Sequence, residues 1–343
     1  MQYRLPAEWE NHNSILIMFP YNGKDFPGKL HPVRWAFVEY IKKISFSENV
    51  IILVRDEDHK LAVSQMLEES SVNMTAINLV IYNTQRTWMR DSGPITVLDE
   101  NNRPVILDFK FNAWARYTYH RCDDFIPQFI AKFVDEPFVQ PTYNGKRVVL
   151  EGGAIDINGC GSLICTEECL MSDTEQVRNP GFSKQDYEEV FKQYFGVTNV
   201  IWLGRGIYGD DTHGHVDDFC RFVNENTVVV CKEDNPDDVN YKSLQDNIER
   251  LKNAKLENGK PLNIVTLPMP SAVCYKNMRL PASYANFLIT NKSVLVPTYN
   301  DANDRIALNI LADLFPNRTV IGINAVDIVW GLGSLHCLSH EIR

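Results

Sequence analysis

Apolar and polar positions follow two periods along this chain, and the two periods take turns. Residues 33–46 (VRWAFVEYIKKISF) place apolar side chains at the three-to-four spacing of a helix face, and an almost wholly apolar run, 50–54, follows. The succession returns four times: 123–133 before 147–151, 184–195 before 199–204, 239–252 before 263–268, and 302–315 before 319–324. An amphipathic helix leading into a short run rich in Val and Ile predicts repeated αβ units.

Beside these strands lies a second recurring feature. The stretches 90–109, 151–166, 214–230 and 282–297 each read as two apolar halves around a turn, at Asn101-Asn102, Asn158-Gly159, Asn224-Glu225 and Asn291-Lys292. Asp91, Glu151, His215 and Ser283 open these candidate hairpins, spaced by 60, 64 and 68 residues. A fifth unit is completed only by joining 333–338 (GSLHCL) to 14–19 (SILIMF), so that first and last segments share a unit and no sheet edge is left open. The expectation is an α/β protein with one domain over 1–343. It is a five-fold pseudosymmetric α/β propeller of ββαβ units, whose equivalent positions converge on the axis. An open α/β sheet in two lobes is the alternative.

Composition narrows the partners. The 44 acidic residues exceed the 34 Lys and Arg, a formal charge of −10. A nucleic-acid backbone needs clustered cations, so it is disfavoured, whereas a negative field concentrates small cationic ligands. The apolar run Ile15–Pro20 is too short for a signal segment, and no stretch approaches the ~20 apolar residues of a membrane helix, so a cytoplasmic location is expected. Self-association stays open. The eight cysteines are then expected as thiols. Cys160, Cys165 and Cys169 do not have a zinc-site spacing.

Chemistry concentrates in a few places. Cys337 ends Gly331-Leu-Gly-Ser-Leu-His-Cys337, where glycines precede a short apolar segment expected as a strand. His336 would then point to the opposite face. His215 and Asp217, two apart, would share a face if they lie on a strand, pairing a proton carrier with a carboxylate. The His213-x-His215 spacing equally fits a metal site. Asp91 stands before a turn, and Glu151 ends an apolar run ahead of two glycines. Carboxylates hold a guanidinium by paired charged hydrogen bonds, a His moves protons, and a thiolate attacks carbon.

Six segments now add up in order: Pro6-Ala-Glu-Trp9-Glu, Trp88-Met-Arg-Asp-Ser-Gly-Pro94, Phe111-Asn-Ala-Trp114, Glu151-Gly-Gly153, Gly214-His-Val-Asp217 and Leu335-His-Cys337. Over nearly its whole length the chain resembles the agmatine deiminase and bacterial-type peptidylarginine deiminase family, guanidine-modifying enzymes of pentein fold. The resemblance implies Cys337 as nucleophile, His215 as general acid/base, and Asp91 and Asp217 as guanidinium holders. It also implies Glu151 beside His215 and the substrate, and Trp88 on the pocket wall. No metal or cofactor is implied. The sequence departs from the family at Asp218, where Asn is usual, and after Trp114, where Ala-Arg116 replaces paired glycines. A guanidinium at position 116 on the pocket rim would favour a substrate whose far end is a carboxylate.

The leading expectation is hydrolysis of agmatine to N-carbamoylputrescine and ammonia through a covalent thiouronium on Cys337. Deimination of arginine or peptidyl-arginine, a metal hydrolase built on His213 and His215, and a non-catalytic binder of a cationic ligand are the alternatives.

Overall fold

The computed structural model describes residues 3–343. In the first sheet Ser14–Met18 pairs in parallel with Asn49–Val54 and antiparallel with Ser339–Ile342, while Ile77–Ile81 adds a further parallel strand. Four more sheets of the described residues repeat one order: an antiparallel hairpin, a connecting segment with a helix, and a strand parallel to the second hairpin strand. They are Ile95–Leu98, Pro104–Leu107 and Phe138–Val139; Ile155–Ile157, Ser162–Thr166 and Asn199–Leu203; Cys220–Asn224, Thr227–Lys232 and Asn263–Pro268; and Leu288–Ile289, Ser293–Thr298 and Thr319–Asn324. A parallel pair cannot be closed by a tight turn, which is why each unit carries a crossover helix.

Local sequence accounts for the helices. Lys184–Phe195 starts at a capping box between Ser183 and Asp186 and ends at Gly196, whose φ of 72° suits only a residue without Cβ hindrance. Its buried face is Tyr187, Val190, Phe191, Tyr194 and Phe195, the spacing of one helical stripe. Leu30–Ser45 buries Val33, Phe37, Val38, Tyr40, Ile41 and Ile44 in the same way. Each such side chain contributes roughly 1.5–3 kcal/mol of burial. Ser14–Met18 is buried at every position, as a strand covered on both faces must be. No helix among the described residues is long and apolar enough to cross a membrane.

Three expectations are corrected. The crossover strand of the second unit is Phe138–Val139, not 147–151; Pro137 and Pro141 bracket it and cut its ladder short. Arg147 instead ends a small hairpin around Asn144-Gly145, with φ of 49° and 76°, and Val149 makes only an isolated bridge to Lys110. The helix Glu57–Glu69 and the strand Ile77–Ile81 are additional elements; that helix buries only His59, Val63 and Leu67. At the C-terminal end the strand is Ser339–Ile342, so 333–338 is a turn that precedes it.

Candidate active site

Each unit places a short turn just ahead of its first strand, and these turns carry the reactive side chains. Asp91 lies in the helical turn Met89–Ser92, Glu151 immediately precedes the turn Gly152–Ala154, and His215 caps the turn Val216–Asp218 that holds Asp217. His215 and Asp217 thus face each other from a turn, not from one strand face as expected. Cys337 sits in the turn before Ser339. All five residues are buried.

The turns bring them together. His215 Nδ1 is 3.7 Å from Asp91 Oδ1 and 4.0 Å from Asp217 Oδ1, and its Nε2 is 3.8 Å from Glu151 Oε2. Cys337 Sγ is 3.7 Å from Asp217 Oδ2. Gly153 passes so close that a Cβ there would lie 2.5 Å from His215 Nδ1 and about 3 Å from carboxylate oxygens of Asp91 and Asp217. The absence of a side chain at Gly153 therefore lets the backbone pass directly against these three groups. Neither ring nitrogen of His215 has a hydrogen-bond partner here, nor has Glu151 Oε2 or Asp217 Oδ1. Buried polar atoms of this kind call for a bound polar group.

Charge in this pocket is strongly biased. Burial, then the negative charges of Asp217, Asp218 and Asp91, push the Cys337 thiol well up. Burial and the neighbouring carboxylates Asp217 and Glu151 raise Asp91 to about 6, against the opposing pull of His215 and the indole of Trp114. Burial alone would lower His215, but Asp91, Cys169 and Glu151 outweigh it and hold the imidazole well above its ordinary value. Burial would likewise raise Glu151, yet Arg178 and His215 bring it down to about 2. Cys337 and His215 are thus both pushed toward their protonated forms.

A surrounding layer fixes these groups. Trp114 donates its indole N–H to Asp91 Oδ2 at 2.9 Å. It does so from a segment in which Ala113, Trp114 and Ala115 all have φ between 51° and 57°, a left-handed turn that non-glycine residues resist. Arg178 pairs with Glu151 Oε1 at 3.0 Å. His336 spans two carboxylates, Asp217 Oδ2 at 2.7 Å and Glu8 Oε2 at 2.8 Å, and Glu8 in turn meets Arg221, which also holds Asp156. Arg90 donates its backbone N–H to the Cys337 carbonyl and its guanidinium to Glu341. Trp114, Glu8, His336 and Arg90 stood inside the sequence segments named above, yet spacing alone gave them no role. Arg178 lies in no such segment, and its only signal is position next to an uncompensated buried Glu.

An open cleft with about 140 Å³ of accessible volume leads to Cys337 and Asp91, with Trp88 and Trp114 in its walls. His215, Glu151 and Asp217 lie behind this opening. Trp88 packs on Phe26, and a Cβ at Gly333 would strike its ring at 2.7 Å, so that glycine lets the Cys337 turn lie against the indole. Arg116 does not line the cleft. Its guanidinium is half exposed and paired with Asp211 at 3.1 Å. The arginine on the cleft wall is Arg86, stacked 4.0 Å over Tyr117 and paired with Asp25 at 2.8 Å.

The His213–His215 pair does not form. His213 turns toward Glu175 at 3.4 Å, on a backbone with φ of 69°. Among the described residues, the donor groups close enough to share an ion are Glu151, Cys169 and His215, and Asp217, Asp218 and Cys337. Cys169 lies beside His215 and Glu151, whereas Cys160 is exposed.

A family model described as Porphyromonas-type peptidyl-arginine deiminase matches residues 4–342. The agmatine deiminase of Stutzerimonas stutzeri is 31% identical over 362 residues, spanning 99% of this chain and 95% of that protein. Among solved structures, the agmatine deiminase of Enterococcus faecalis superposes with a TM-score of 0.91 at 28% identity, covering 99% of this chain and 96% of that one. A C. jejuni agmatine deiminase variant with substrate bound gives 0.88 at 29% identity, covering 99% and 96%. An amidinotransferase from Microseira wollei shares the fold alone, at a TM-score of 0.51 and 13% identity. The mixed α/β fold is thus one common to agmatine deiminases and amidinotransferases. Within it, the chain belongs to the Porphyromonas-type peptidyl-arginine deiminase family.

Proposed function

We propose that the chain is an amidine hydrolase that releases ammonia from a guanidinium substrate, agmatine being the substrate that its relatives' names indicate and N-carbamoylputrescine the product. One observation carries the reading: a thiol at the end of a cleft that also reaches Asp91, with Cys337 Sγ 3.7 Å from Asp217 and His215 Nδ1 3.7 Å from Asp91 and 4.0 Å from Asp217. The five units are proposed to stand around one axis as a propeller in a single domain over 1–343, which would account for these turns meeting in one place.

A guanidinium between Asp91 and Asp217 replaces their negative potential at sulfur with a positive one and favours the thiolate. The thiol proton passes to solvent as the cation enters. The thiolate adds to the central carbon, which is held in place by the two carboxylates. His215 gives its proton to the departing nitrogen, the C–N bond breaks and ammonia leaves, with a thiouronium on Cys337. Neutral His215 then takes a proton from water, hydroxide adds to the same carbon, and the C–S bond breaks to return the thiolate while the new hydroxyl gives its proton to solvent, leaving a ureido product. Glu151 holds the imidazole from behind, and Trp88 keeps bulk water from the reacting carbon. Every step uses side chains of this chain.

A second reading, a substrate whose far end is a carboxylate, as in arginine or a C-terminal arginyl peptide, is favoured by Arg86 and Lys24 on the cleft wall. Asp25 is paired with Arg86 itself and Asp211 with Arg116, so of the two cations Lys24 is the one outside these ion pairs. Ammonia release and product mass, measured for agmatine, arginine and peptidyl-arginine, separate the two. Turnover of none of them would leave a binder of cations. Activity lost to a chelator and restored by a metal would replace the thiol mechanism.

A further inference from the structure

Asn286 lies just ahead of the fourth hairpin, which begins at Leu288, and its Nδ2 is 3.1 Å from Cys337 Sγ. The direction of that amide is fixed by its neighbours. Its Oδ1 accepts the backbone N–H of His336 at 3.1 Å and that of Cys337 at 3.4 Å. A flipped amide would turn its NH₂ against two donors, so the nitrogen is the atom that faces the sulfur. The second N–H of Nδ2 reaches Asp218 Oδ1 at 3.0 Å. Both Asn286 and Asp218 are buried, so water does not compete for these bonds. Burial, then the charges of Asp210 and Asp217, push the Asp218 carboxyl well up.

We propose that Asn286 is a catalytic residue that donates an amide N–H to Cys337 Sγ and stabilises the thiolate, both before attack and when the C–S bond breaks. The proposal rests on Cys337 being the nucleophile of the hydrolysis above. Sulfur carries its largest negative charge at those two moments, and a donor already aimed at it needs no reorganisation. Asp217 takes the complementary position, accepting the S–H of the resting thiol. The turn that bears Cys337 and the residue that steadies its charge thus hold each other, through two backbone N–H groups in one direction and one side-chain N–H in the other.

The test compares the wild type with Asn286→Ala and Asn286→Asp. The aspartate keeps an oxygen for the two backbone donors and so shows whether the turn stays anchored, while the neutral alanine, which adds no charge beside the sulfur, reads the loss of the amide donor. Iodoacetamide alkylation at about pH 8, just below the free-thiol value, is followed cysteine by cysteine by peptide mass spectrometry, with exposed Cys274 as reference in the same tube. Both variants are expected to alkylate Cys337 about 10–100-fold more slowly relative to Cys274, the factor for one hydrogen bond to an ionised group. kcat falls by a similar factor while KM changes little. A folded variant that alkylates Cys337 at the wild-type rate overturns the proposal, and if Asn286→Ala fails to fold, the neutral Asn286→Ser, too short to reach the sulfur, decides. Turnover that survives in Cys337→Ala would instead remove the nucleophile assignment, an outcome the alkylation ratio does not share.

Discussion

Arg178 Nε lies 3.0 Å from Glu151 Oε1, and neither side chain reaches solvent. The guanidinium also donates to the carbonyls of Gln176 and Thr212, at 2.8 and 2.6 Å, so it is held from three sides. Its charge keeps Glu151 ionised with the other carboxylate oxygen turned to His215.

Arg178→Met strips that charge and leaves a buried carboxylate alone. Unfolding in urea is expected to show a loss of about 3–5 kcal/mol, with less lost in the Arg178→Met, Glu151→Gln double variant. In the wild type the Glu151 carboxyl lies below its unfolded value of 4.5, at about 2. Its contribution to stability is therefore complete above about pH 4.5 and lost as pH falls toward about 2. A double variant no more stable than Arg178→Met would show that the pair is not coupled.

Cys337→Ser is expected to abolish turnover with the fold intact, because a serine hydroxyl at this site has no base strong enough to ionise it. Rapid quenching of the wild type followed by mass spectrometry should find a substrate-derived adduct on the peptide that contains Cys337. Residual activity above a small fraction in the serine variant counts against the assignment.

The acid limb of kcat/KM should follow Asp91. Its carboxyl titrates at about 6, so as pH falls through that value the protonated form no longer holds a guanidinium. In wild type kcat/KM should drop about tenfold per pH unit below this point. Asp91→Asn should lie low at all pH, by roughly 2–5 kcal/mol in kcat/KM, and show no such limb. A limb that persists unchanged in Asp91→Asn belongs to another group.

Discrimination at the far end of the substrate should move with Arg86. Its removal takes a cation from the cleft and frees the buried carboxylate of Asp25. In Arg86→Ala the ratio of kcat/KM for agmatine to that for a C-terminal arginyl peptide should rise by at least tenfold, about 1.4 kcal/mol. Arg116→Ala, at the half-exposed pair with Asp211, should leave it unchanged. The reverse pattern would return the specificity role to Arg116.

The sequence made much of this legible, for identifiable reasons. Helices with broad apolar stripes and strong ends, such as Lys184–Phe195, were bounded to the residue, and parallel strands such as Asn263–Pro268 stood out as apolar runs. The two-residue strand Phe138–Val139 was invisible because its partners, not its composition, make it a strand. Ser339–Ile342 was hidden by polar residues that are buried against other polar groups. In the site, reactive side chains were found because their types are chemically rare. Arg86, Arg178 and Asn286 were missed because nothing local to them announces a role; each acts on a residue from 27 to 61 positions away.

The acidic cradle around Cys337 has a consequence for the life of the protein between turnovers. A cysteine oxidises as its thiolate, so a sulfur kept protonated by Asp217, Asp218 and Asp91 is a poor target for peroxide. The same carboxylates that would grip a guanidinium act as a guard while none is present. Oxidative inactivation should therefore run fastest not in the resting enzyme but in one whose cleft is filled by a small cation that cannot react.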